Sequence, residues 1–116
     1  MIYFDLMSQS SIIKTTQKIA RLLESLKTSE EKAACLEAML TPSEIAQLDK
    51  RLKVVELLEK QIPYHQISKK LKVSSATIAS VNQSFSEATR EVIVKKINQN
   101  QVVDNLADQF WNHLPS

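Results

Sequence analysis

Glycine is absent from this chain of 116 residues, and proline occurs only three times. Without glycine the backbone has poor access to the positive-φ turns on which hairpin-rich β folds depend, so an all-α fold is expected. A single cysteine, Cys35, excludes an internal disulfide and any cysteine-rich zinc site. It falls in the helix-like run EEKAACLEAML and reads as a small core residue. The two histidines, His65 and His113, lie far apart with no other ligand types clustered around them, so no metal site is expected. Long apolar runs are missing as well: nothing approaches the roughly 18 residues of a membrane span. The apolar start MIYFDLM is short, broken by Asp5 and without a basic leader, which argues against a signal peptide. A single cytoplasmic domain, away from the membrane, is the expectation.

Enzyme chemistry has no footing in the sequence either. There is no glycine-rich phosphate loop, no nucleophile–base pairing, and no carboxylate pair set in an evident pocket, so neither catalysis nor a cofactor is expected.

Charge is nearly balanced, with 15 basic and 13 acidic residues, but it is unevenly spread. From Lys60 to Ser86 there are four lysines (Lys60, Lys69, Lys70, Lys72) and no acid, whereas the rest of the chain holds 11 basic and 13 acidic residues. One local positive face on an almost neutral chain suits nucleic acid better than general stickiness.

Apolar residues recur at three- and four-residue steps almost throughout. Ile12, Ile19, Leu22, Leu23 and Leu26 mark a first helix over about 9–27. Thr28 with Glu31 reads as a capping box opening a second helix, with Ala33, Leu36 and Leu40 on its inner side. Thr41-Pro42-Ser43-Glu44 starts a third in the same way, with proline at the first helical position. That helix is expected to run to about Lys60, burying Ile45, Leu48, Leu52 and Val55 with Leu58 close by, to carry Asp49–Lys53 and Glu56–Lys60 pairs outside, and to be stopped by Pro63. Beyond Ser86 come Glu87–Lys96 and a C-terminal extension over 98–116, in which a weak joint at NQNQ (98–101) precedes an amphipathic segment, Val102–Leu114, carrying Val103, Leu106, Phe110 and Trp111.

Between them lies the most informative segment, Tyr64–Gln83. Its spacing is that of a helix-turn-helix, occupying 64–85 with its flank. Ile67, Leu71, Val73, Ile78 and Val81 stand where two short helices must grip each other, and Ser68, a small residue, where they cross most closely. In such a pair the first helix braces on the DNA backbone and the second enters the major groove. The second helix must be apolar behind and small or polar in front. Ile78, Val81 and Phe85 fall on one side; Ser75, Ala76, Ala79 and Gln83 fall on the other. Ser74 or Ser75 is placed to cap the helix, and Lys69, Lys70 and Lys72 to meet phosphates. Arginine is missing from the front, so guanine is not read in bidentate fashion; hydroxyl, methyl and water-bridged contacts or DNA shape remain. Lys72 occupies a turn position that favours glycine, at a cost of about 1 kcal/mol.

Taken together, MLTPSEIAQLDKRLKVVELL (39–58) and YHQISKKLKVSSATIASVN (64–82) resemble the Trp repressor family, particularly its tryptophan-repressor-like branch. The likeness covers about Met39–Phe85, most specifically Leu40-Thr41-Pro42, Arg51 and Ala76-Thr77-Ile78. It implies an intertwined, all-helical homodimer that presents two reading heads to double-stranded DNA as a transcriptional regulator, in all expectation a repressor. The family's DNA contacts map onto Tyr64, His65, Ser68, Ser75, Ala76, Thr77 and Ala79. Its effector pocket maps onto Thr41, Arg51, Ser80 and Val81. There the sequence departs from the pattern: Ser80 replaces a second arginine and Val81 a glycine, which removes a cation and adds an isopropyl group where a tryptophan-shaped ligand would sit. Any small-molecule effector is therefore expected to differ from tryptophan. Two other readings stay open: a helical protein-interaction module docking through Phe110, Trp111 and Leu114, and a DNA-binding accessory part of a transposase.

Overall fold

The computed structural model describes the backbone of residues 8–112 and the side chains of residues 8–101. All regular structure among these residues is helical: α1 (Gln9–Ser25), α2 (Ser29–Met39), α3 (Pro42–Glu59), α4 (Tyr64–Leu71), α5 (Ser75–Ser84) and α6 (Glu87–Asn112). The all-α expectation holds. None of the described helices is long and apolar enough to cross a membrane. Contacts divide the chain, within α3, into two compact units, Met1–Ile45 and Ala46–Ser116.

In the first unit each helix start is fixed by a hydroxyl. Ser8 Oγ accepts the Ser11 N–H at 3.1 Å, and Thr28 Oγ1 accepts the Glu31 N–H at 3.1 Å. Thr41 and Glu44 form the reciprocal box that the sequence announces: the Glu44 N–H donates to Thr41 Oγ1 at 3.1 Å, and the Thr41 N–H donates to Glu44 Oε1 at 2.9 Å. Hydrogen bonding to its charged form, from the Thr41 backbone N–H first and the Thr41 side chain second, holds the Glu44 carboxyl below the ordinary carboxylate range. Neither α1 nor α2 buries a single residue. Ile19, Leu22 and Leu36 are exposed, and Cys35 is only half-buried, so their expected burial is not met within one chain.

The second unit has a real core. Val54 and Val55 of α3, Ile67 of α4, Ile78 and Val81 of α5 and Val94 of α6 are buried, and Leu57, Leu58, Ile62, Leu71, Val73 and Phe85 pack against them. Ile45, Leu48 and Leu52, expected to be buried by α3, stay exposed (39–48 %). They form one stripe at three- and four-residue steps, on the side of α3 opposite Val54 and beside Val55.

Two ends differ from the sequence reading. α3 finishes at Glu59, next to the expected end at about Lys60, but the residue that turns the chain is Gln61, at φ 61°, and not Pro63. The Ile62 N–H then reaches Leu57 O at 3.1 Å and the Gln61 N–H reaches Leu58 O at 2.9 Å, a Schellman closure in a chain without glycine. Pro63 serves instead as the residue ahead of α4, where its missing N–H is harmless. The joint expected at residues 98–101 does not exist either: α6 runs through it without a break. Asn and Gln are only moderately unfavourable or neutral in a helix, and neither glycine nor proline interrupts the run. Asp49 and Lys53 pair at 3.0 Å as expected, whereas Glu56 and Lys60 form no ion pair. The residues expected on the apolar face of the C-terminal extension, Val103, Leu106, Phe110, Trp111 and Leu114, lie outside the described side chains.

Candidate nucleic-acid interface

α4 and α5 form a helix-turn-helix head, and identifiable backbone and side-chain bonds hold the turn between them. Lys72 caps α4 in the left-handed conformation (φ 56°, ψ 47°), with its N–H on Ser68 O. The next residue, Val73, brings its own N–H to the same carbonyl at 3.3 Å. Ser68 Oγ donates to Val73 O at 2.5 Å, so the serine at the crossing point fastens both sides of the turn. Ser74 then caps α5: its Oγ accepts the Thr77 N–H at 3.1 Å and lies 2.9 Å from Thr77 Oγ1. Of the two serines that the sequence offered as cap, Ser74 takes the role. Ser75 is left exposed on the first turn, and its N–H and that of Ala76 precede the first intrahelical bonds.

Behind this head Ile67 and Ile78 are fully buried and Val81 is 2 % exposed. The front is open. Ser75, Ala76, Thr77 and Gln83 of α5 are exposed, while Ala79 is half-buried. In and after α4, Tyr64, His65, Lys69, Lys70 and Lys72 are exposed, and Ser68 is half-buried with its hydroxyl committed to the turn. One amphipathic segment thus has an apolar back locked into the core and an outward face of hydroxyls, methyl groups and lysines. No carboxylate belongs to either helix. The exposed start of α5 adds the positive end of a helix dipole, which favours a phosphate there.

A family model described as Trp repressor protein matches residues 14–101. The chain belongs to the Trp repressor family. This is a family of DNA-binding regulators, and the helix-turn-helix sits well inside the matched region. Comparison with curated proteins and with solved structures gives no match.

In this member of the Trp repressor family the four residues mapped to an effector pocket are placed very differently. Arg51 borders a hollow of about 180 Å³ between α3 and the head, with Gln47, Lys50, Val54, Val73 and Thr77 as its other walls. Neither Ser80 nor Val81 lines it. Ser80 is exposed, and Val81 belongs to the core. Thr41 is engaged with Glu44 in capping α3. The hollow falls below the roughly 300 Å³ at which sites for drug-sized ligands begin.

One polar cluster beside the head escaped the sequence reading. Arg90 of α6 hydrogen-bonds Asn82 Oδ1 of α5, and its Nε lies 3.6 Å from Glu59 Oε2 at the end of α3. The pairs are eight and 31 residues apart in the chain, so no local spacing signals them.

Proposed function

We propose that the chain is a sequence-specific, homodimeric transcriptional regulator, most simply a repressor, that reads double-stranded DNA through α5. The observation that carries this reading is the head itself: an apolar back buried in the core, and an acid-free front on which Ser75, Ala76, Thr77 and Gln83 face outward. Tyr64, His65, Lys69, Lys70 and Lys72 brace it on phosphates, with Ser68 shaping the turn and Ala79 offering a methyl contact. The protein works in the cytoplasm, where its DNA is.

Homodimerisation is supported by what one chain leaves uncovered. Ile13, Leu22, Met39, Leu48 and Val92 are 43–58 % exposed, and neither α1 nor α2 has a buried residue. Isolated surface leucines are ordinary, but so many, on two helices that bury nothing and on the uncovered faces of two others, call for a partner. A second copy, interleaving these helices, completes one all-helical domain and sets two heads about one helical turn of DNA apart. An effector, where one acts, is a molecule other than tryptophan.

Titration of a pool of random-sequence duplexes at low and moderate salt tests the reading. Binding that falls steeply with salt, and selection of a near-palindromic site from the pool, are expected. An absence of binding at both salt concentrations would falsify it.

A further inference from the structure

A hollow of about 450 Å³ opens between α3, α4 and α6, and no residue of α5 lines it. Its volume lies within the range of small-molecule sites, about 300–1,000 Å³. The walls are of two kinds. Leu57, Leu71 and Val94 give an apolar floor. Around the mouth stand Lys53, Lys60 and Lys70, with Glu56 as the one carboxylate of the lining. Asp49 holds Lys53 at 3.0 Å, which leaves Lys60 and Lys70 as the ammonium groups that an occupant meets. Asn98 and Gln101 add amide donors and acceptors from α6.

We propose that this hollow binds a small amphipathic organic carboxylate, its apolar body on Leu57, Leu71 and Val94 and its charged end between Lys60 and Lys70. A phosphate of the DNA backbone is a poor alternative occupant, because it has no use for the apolar floor. A second copy of the chain is also a poor one. On α3 the exposed stripe of Ile45, Leu48 and Leu52 runs along a different face from Lys53, Leu57 and Lys60. On α6, Val92 is two residues from Val94, about half a turn away, and points out while Val94 points in. The site is also separate from the hollow beside Arg51, with which it shares no residue.

Lys70 and Leu71 form the last turn of α4, directly before the left-handed turn at Lys72. A ligand joining them to α3 and α6 therefore fixes the bracing helix at the point where the head pivots, and takes Lys70 from the phosphates. That regulatory consequence rests on the DNA-binding reading above. The binding itself does not, and it is tested without DNA.

The experiment is a titration of the full-length, nitrogen-15-labelled chain with naphthoate and, separately, with the neutral naphthylmethanol. Saturating amide shifts at Leu57, Leu71, Val94 and Asn98 are expected, with naphthoate binding about tenfold more tightly than the alcohol. Lys60→Glu should remove that preference, and Asn98→Trp, which fills the mouth from an exposed position, should abolish binding of both. Shifts centred on Leu48, Leu52 and Val92, or on Arg51 and Thr77, would overturn the proposal. So would equal affinity for the two probes, shifts that never saturate, or an affinity for naphthoate that Lys60→Glu leaves unchanged.

Discussion

Arg90 donates a side-chain hydrogen bond to Asn82 and thereby ties α6 to the reading helix. The same guanidinium sits 3.6 Å from Glu59, at the C-terminal end of α3, where a helix dipole favours a cation. Its side chain is only 16 % exposed, and its Nε has no hydrogen-bond partner, so the charge depends on these two neighbours. Three helices of the second unit meet in one side chain. Arg90→Met should lower stability by about 1.5–3 kcal/mol, the usual worth of a hydrogen bond to a charged group, read as a shift of the urea midpoint. An unchanged midpoint would remove the cluster from any account of how the head is held.

The lysines of the head are expected to act as orienting charges. Lys69→Gln should weaken DNA binding by a similar factor for every sequence and reduce the slope of log K against log salt by about one unit. Loss confined to one preferred site, with the slope intact, would show that Lys69 reads bases instead.

Dimerisation through the exposed stripe of α3 makes a sharper forecast. In a two-fold interface each substitution counts twice, and burying a leucine contributes about 1.5–3 kcal/mol. Leu48→Glu should therefore weaken the dimer by at least two orders of magnitude, seen by sedimentation at micromolar concentration. A dimer of wild-type strength in this variant would place the interface elsewhere.

Among the described residues two hold the left-handed conformation without being glycine, Gln61 and Lys72. For each the strain is about 1–2 kcal/mol, partly offset because glycine loses more freedom on folding. Gln61→Gly should raise stability by about 0.5–1 kcal/mol and leave DNA affinity alone. Lys72→Gly should stabilise to the same extent while weakening DNA binding through the lost charge. Destabilisation by either glycine would mean that the side chain makes contacts outweighing its backbone strain.

Acid should loosen the start of α3. The Glu44 carboxyl titrates below its ordinary value of 4.5 because Thr41 hydrogen-bonds its charged form. A group lowered on folding adds stability above its unfolded pKa and loses that contribution as pH falls through the folded one. Protection of the Thr41 amide should thus persist through pH 4.5 and fade below it, and Glu44→Gln should make it independent of pH. Carbon-detected titration of Glu44 checks the direction; an elevated value would contradict the capping geometry.

Local signals carried most of the fold. Thr41 and Glu44 are three residues apart, Asp49 and Lys53 four, and Ser74 and Thr77 three; within such distances the helix itself brings partners together, and the structure has each of these contacts. The buried back of the head was equally legible, since Ile67, Ile78 and Val81 had one helix-crossing geometry to satisfy. What could not be read depends on partners remote in sequence or outside the chain. Leu36, Leu48 and Leu52 have the periodicity of core residues, but periodicity identifies a face and not what covers it. Val81 illustrates the same limit at the effector positions: the family pattern set it beside a ligand, while packing sets it inside the core. Gln61 shows that a chain deprived of glycine still turns where its helices must end.

The unbroken course of α6 has a mechanical consequence. Its 26 residues make a rod about 39 Å long. Arg90 is bolted near one end, and residues 98–101 span the midpoint with no break in the helix there. With neither glycine nor proline in it, this helix has no hinge at which a load on its far half could be shed before it reaches Arg90.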